Sequence, residues 1–194
     1  MRKSFLASLV VAAIAGWASV ASAQFYTNQG DFVAQLLPGS YTEDFATLPN
    51  DLIGPTWDAP GANGFGWTAS APLGLWGLGG VLSTNNSGDS ITFTFTGAPV
   101  YGFGGDFWGT NIAGAPVAAT VTYLASNGQS DSRDVSSPSF LGYVSPVPLA
   151  SVVISVDPIG AFPTADNVIT GAVPEPSALG MLLIGLVMLV RRRA

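Results

Sequence analysis

The side chains available for chemistry in this chain present oxygen and little else. Two pairs stand out: Glu43 with Asp44, and Asp166 with Asn167 some way further along. Carboxylates and carbonyls form the ligand set of a hard cation. With no softer donors at hand, they favour calcium over a transition metal. To share one ion, the strand carrying Glu43 and Asp44 must pair with the one that Asp166 begins. Asp and Asn serve equally as turn residues that hydrogen-bond their own backbone, and the sequence leaves that alternative open.

Histidine and cysteine are both absent. Their absence removes Ser-His-Asp and Cys-His nucleophilic catalysis, the usual zinc and copper sites, haem held by histidine, and disulfide bonds. A pair of carboxylates acting on a glycosidic bond remains chemically open. The glutamates of the exported part are Glu43 and Glu175, however, and Glu175 lies in a segment with a different use. Gly102-Phe103-Gly104-Gly105-Asp106 has the look of a phosphate loop but lacks its lysine and the helix behind it. It reads as a bulged strand in which glycine admits a close backbone. Trp57, Trp67, Trp76 and Trp108, with Tyr101, Tyr123 and Tyr143, supply either a core or a flat platform for stacking sugars.

These residues must be positioned by strands. Ile91, Phe93 and Phe95 alternate with Thr92, Thr94 and Thr96, the period of a half-buried strand. Val117, Ala119, Val121 and Tyr123 repeat the pattern, and Asn127-Gly128 turns that run back into Ser130 to Val135. Further strands are expected over Ser40 to Phe45, Phe65 to Ala69, Val100 to Phe107, Phe140 to Val144, Leu149 to Val156 and Val168 to Ala172. Prolines 146, 148, 158 and 163 are expected between strands, and Ala46 to Asn63 as loop. A short helix capped by Thr27 or Asn28 should run to Leu37, burying Phe32, Val33, Leu36 and Leu37. Roughly eight to ten short strands with Gly and Pro between them describe an antiparallel β-sandwich, with a jelly roll the expected form. One domain is expected over residues 24–172.

Both ends carry export signals. Arg2 and Lys3, the apolar run Phe5 to Val20 and the small residues Ala21-Ser22-Ala23 make residues 1–23 a signal peptide. Signal peptidase would recognise Ala21 and Ala23 and leave Gln24 first. At the other end, Val173-Pro174-Glu175-Pro176-Ser177 should be an exposed, helix-free segment because two prolines remove donors and fix the backbone. Residues 177–190 then form a helix that is apolar all round, which implies lipid. At about 1.5 Å per residue it reaches roughly 20 Å, short of a hydrocarbon core of about 30 Å. Arg191, Arg192 and Arg193 close it as a basic stop.

This tail resembles the PEP-CTERM sorting signal of Gram-negative bacteria, also called the ice-binding-protein C-terminal domain. The likeness rests on Val173 to Ser177, the apolar segment and the arginine triplet, in that order. It implies recognition by an exosortase-type membrane protease, cleavage near the Pro-Glu-Pro motif, and release to the cell surface or to an exopolysaccharide matrix. Residues 24–172 are in turn similar to exported β-sandwich domains found with this signal. That likeness is carried by Gly104-Gly105-Asp106-Phe107, Phe140-Leu141-Gly142-Tyr143 and Asp166-Asn167-Val168. It implies a jelly roll of the carbohydrate-binding kind but carries over no sugar site. Regular Thr-x-Thr ladders would favour ice binding, and Thr92, Thr94 and Thr96 form one such run.

Charge narrows the partners. Between Gln24 and Val173 eleven acidic residues face Arg133 alone. Such a body repels phosphate backbones and anionic headgroups, so nucleic acid is not an expected partner. The expected protein is a non-enzymatic surface or matrix component. The rivals are a calcium-assisted carbohydrate-binding module and, more remotely, a polysaccharide hydrolase.

Overall fold

The computed structural model describes residues 23–174. The signal segment with Ala21, and the tail from Glu175 onward with its apolar run and Arg191 to Arg193, lie outside the described residues. Among the described residues no helix is long and apolar enough to cross a membrane.

The described residues are mainly β. Its elements are β1 (Gln24–Tyr26), α1 (Gln29–Val33), β2 (Tyr41–Glu43), β3 (Leu52–Asp58), β4 (Phe65–Gly77), β5 (Leu82–Thr84) and β6 (Ile91–Gly97). They continue with β7 (Val100–Thr110), β8 (Pro116–Val117), β9 (Ala119–Ala125), β10 (Ser130–Val135), β11 (Ser139–Leu149), β12 (Ser151–Asp157) and β13 (Phe162–Gly171). The strands form one antiparallel sheet in the order β1-β11-β7-β13-β5-β4-β6-β12-β9-β10, with β2 on β13, β3 on β4 and β8 on β7. The sheet curls until it nearly closes. Phe25 of β1 reaches across to stack edge-on against Tyr123 of β9, with ring centres 5.5 Å apart.

Period-two patterning explains the wrapping. Ile91 and Phe93 of β6 and Val121, Tyr123 and Ala125 of β9 point inward, where they meet Trp67, Phe103, Phe107 and Tyr143. Phe93 is in ring contact with Trp67 at 5.1 Å and with Phe103 at 5.0 Å. Each such ring, fully buried, contributes about 1.5–3 kcal/mol, with some tenths more from edge-on geometry. The opposite face of the central strands is covered as well. Phe32 of α1, Val144, Ile169 and Val173 form a second apolar cluster with Leu36 and Phe140 against it. The helix comes this close because β7, β11 and β13 offer glycine beneath it: a Cβ at Gly142 would stand 2.8 Å from the Phe32 ring, and one at Gly102 would stand 2.4 Å from a Leu36 methyl.

Several expectations are corrected. The helix ends at Val33 rather than Leu37, because Gln35 and Leu36 donate to carbonyls three residues back and the Leu37 amide turns to the Ala172 carbonyl at 2.8 Å. Asn28 is the cap, and Phe32 and Leu36 face the body while Val33 and Leu37 stay exposed. The expected loop 46–63 contains β3, an edge strand whose pairing with β4 slips on either side of Gly54, next to Pro55. Phe65–Gly77 is one long strand rather than two segments. Pro146 and Pro148 sit inside β11, in the stretch between Val144 and Leu149 where pairing with β7 lapses, so their missing amides disturb no ladder.

One glycine is pinned by backbone. A Cβ at Gly77 would lie 2.1 Å from the Pro49 carbonyl oxygen, and Gly77 also exchanges both backbone hydrogen bonds with Asp51. A carbonyl held in that way has no rotamer to escape into. Gly77→Ala is therefore expected to destabilise the protein by about 1–3 kcal/mol, read as a lower urea midpoint at unchanged m-value; an unchanged midpoint would contradict this packing.

Candidate functional site

Strands β2 and β13 do pair, with Val168 opposite Glu43 and Thr170 opposite Tyr41. The four oxygen-bearing residues nevertheless divide between two environments. Glu43 is turned into the body, where its carboxylate accepts from the Tyr41 hydroxyl and, at 2.9 Å, from the Phe45 amide. Burial and this bond push the Tyr41 hydroxyl far above its ordinary range. Phe45, the residue tied to it, holds a left-handed backbone at φ 51°. Asp44, one residue on, is exposed and accepts from the Ala46 amide at 3.0 Å.

Asp166 and Asn167 instead meet Asp106, which the sequence did not single out as a ligand. Asp106 and Asp166 are opposite one another on β7 and β13, and the ladder shifts just past them, between Asp166 and Ile169. The irregularity expected in the glycine-rich run of β7 is thus accommodated on its neighbour, where Asn167 adopts φ 48°. Its amide nitrogen donates to Asp106 at 2.9 Å, bridging two carboxylates that would otherwise repel. Among the described residues no three acidic side chains are grouped closely enough to hold a metal ion.

The aromatic residues also divide. Trp67, Trp108, Tyr123 and Tyr143 are core, and the Tyr123 hydroxyl donates to the Phe103 carbonyl at 3.0 Å inside the body. Trp57 packs half-buried against Phe45 and Trp67, and Tyr101 packs beside Phe32. Trp76, half-buried at the end of β4, faces a cleft. This cleft of about 350 Å³ lies where β7, β13, β5 and β4 end side by side, with Asn50, Asn85, Asn111, Thr110, Ser83 and Ile112 among its lining. No charged side chain lines it. A shallower hollow of about 440 Å³ lies elsewhere, between Asp134 and Asp157. The Thr92 to Thr96 run stands beside Ser70 and Thr68 of β4, but Val153 of β12, opposite Thr92, interrupts the row of hydroxyls.

The floor of the cleft is a buried hydroxyl chain. Ser83 Oγ lies 3.0 Å from Thr164 Oγ1, and Thr164 Oγ1 lies 2.9 Å from Thr110 Oγ1, joining β5, β13 and β7. The Pro163 and Phe162 carbonyls accept from this chain at 3.1 and 3.2 Å. Above it, Asn50 Oδ1 accepts the Trp76 indole N–H at 3.2 Å. Asn111 Oδ1 accepts the amides of Ala113 and Ala115 at 2.9 and 3.1 Å. Of this assembly only Trp76 is visible in the sequence, as one of the candidate stacking aromatics; the rest are common polar residues scattered from 50 to 164.

No family model matches the chain, and a search of curated proteins finds no significant match. Chemistry must therefore be read from the residues themselves.

Asp166 has a pH signature. Burial raises the Asp166 carboxyl above its ordinary range; the Asn167 amide opposes this, and Asp106 and Asp44 add to it. A raised acid binds its proton in the folded state at pH values where the unfolded chain has lost it. Stability therefore falls as pH climbs from the ordinary carboxylate range, about 3.9, through the raised folded value. Asp166→Asn should be more stable than the parent at neutral pH, by less than about 1 kcal/mol for so solvated a group. The advantage should vanish below the ordinary range. Melting curves of both proteins across that range check it; an advantage that grew on acidification would contradict the assignment.

Proposed function

We propose that this chain is an exported, non-enzymatic component of the cell surface or of an exopolysaccharide matrix, delivered by an exosortase-type sorting system. In this reading the signal peptide is removed after Ala23, and the apolar segment holds the chain in the inner membrane. A membrane protease then acts at the Pro-Glu-Pro motif. We assign the body a jelly-roll-like wrapping of its antiparallel sheet, since strands distant in sequence, such as β7 and β13 or β6 and β12, lie side by side.

The observation that carries this reading is where the folded body ends. Strand β13 closes at Gly171, Val173 is still 4% exposed within the second apolar cluster, and Pro174 is exposed. Val173 therefore belongs to the body, and the expectation that it is exposed with the rest of its motif is corrected. Pro174, the first proline of the motif, is already exposed, which fits a protease that acts there without unfolding the sheet. The acidic exterior fits a protein held by its tail rather than by its faces, because its net charge disfavours anionic lipid.

Intact-mass and C-terminal peptide analysis of the exported form tests this directly. The expected product starts at Gln24 and ends between Pro174 and Ser177, with the apolar segment and arginines gone. A mature protein that retains Arg191 to Ala194 would overturn the proposal.

A further inference from the structure

The cleft beside Trp76 has donors, acceptors and a flat apolar wall, all fixed in place and none charged. Its amide donors are oriented by their own oxygens. Asn50 Oδ1 is engaged by the Trp76 indole, and Asn111 Oδ1 by two backbone amides of the loop after β7. Their amide nitrogens have no hydrogen-bond partner among the described residues, so each presents N–H donors to whatever enters.

The floor supplies the complement. Following the two shortest contacts, Ser83 and Thr110 both donate to Thr164, and Thr164 donates to the Phe162 carbonyl. Every hydroxyl proton is then engaged within the protein, which leaves Ser83 and Thr110, both in the cleft lining, with acceptor capacity only. Ser83, Thr110 and Thr164 are each at most 2% exposed, and their mutual hydrogen bonds hold the hydroxyls in one geometry. Trp76 adds an indole whose edge is locked by Asn50, and Ile112, 85% exposed, stands at the mouth.

We propose that this cleft binds a neutral carbohydrate, with a sugar ring on the Trp76 indole and its hydroxyls bridging the asparagine donors and the Ser83 and Thr110 acceptors. Polyhydroxylated rings need donors and acceptors together with an apolar surface for their C–H face, and this lining provides all three. At about 350 Å³ the cleft sits at the lower end of small-molecule sites, which start at about 300 Å³. That size suits the end or a short stretch of a glycan. An anionic ligand is disfavoured, since no cation lines the cleft and the body around it is strongly acidic. The assignment does not depend on how the chain is sorted, and a chain with its tail intact should bind equally.

Tryptophan fluorescence of the purified full-length protein, titrated with neutral β-glucan, mannan and galactan hexasaccharides and with an oligogalacturonate of equal length, tests it. Saturable binding of at least one neutral glycan is expected, with none of the oligogalacturonate. Trp76→Ala should weaken that binding on the order of tenfold. Asn111→Asp keeps the acceptor that holds the loop and exchanges the amide donors for a second, charged acceptor, so it should lose binding while the loop and the melting temperature are kept; isothermal titration reads both variants without relying on the indole. Failure of every neutral glycan to bind overturns the proposal. So does binding that survives both substitutions, or an oligogalacturonate that binds as tightly.

Discussion

The pairing of β7 with β13 is the constraint on which the rest of this protein depends. Strand β13 runs beside β7 from Phe162 to Gly171, while its other edge is shared by β5 at Thr164 and Ala165 and by β2 from Val168 to Thr170. Both faces of this strand pair are covered, one by the aromatic core and one by α1 and Val173. The body has no disulfide to supplement it. The ion pair of Arg133 with Asp131 is exposed on an edge strand and contributes little. Stability must therefore come from apolar burial and ladder hydrogen bonds gathered around these two strands, both of which require distant parts of the chain to meet.

The same pair sets out the sites. At one end, Thr110 and Thr164 stand on adjacent strands and anchor the hydroxyl chain beneath the Trp76 cleft. In the middle, the shift after Asp166 turns Asn167 between two carboxylates. At the other end, β13 runs into Val173, the last buried residue before the chain emerges at Pro174. Core, cleft and the described C-terminal end at Val173 and Pro174 thus all lie along one strand pair and its continuation. The Leu37 amide on the Ala172 carbonyl adds a clasp from the N-terminal segment.

Strand periodicity was legible wherever one face is wet. Thr92, Thr94 and Thr96 against Ile91, Phe93 and Phe95, and the run ending at Tyr123, are such places, since alternation is a signature of half-burial. It failed at β3, where Gly54 and Pro55 mimic a loop but only make the edge strand slip. It failed again at β11, whose prolines fall where no ladder bond is needed. The pairing of β2 with β13 was readable from the acids at either end. The side on which Glu43 falls was not, because a short strand next to a left-handed Phe45 carries no periodicity long enough to assign a face. Of the cleft only Trp76 was legible, as one of several aromatics that could stack on a sugar; the polar residues around it are ordinary, and strand order brings them together.

The central claim is that β7 and β13 form the last structure to open. Amide hydrogen exchange resolved along the sequence measures this directly. Amides of Gly102 to Thr110 and Thr164 to Thr170 should exchange slowest and together, at the global unfolding free energy, while β10, largely exposed, should open earlier. Protection in β13 no greater than in β10 would contradict it.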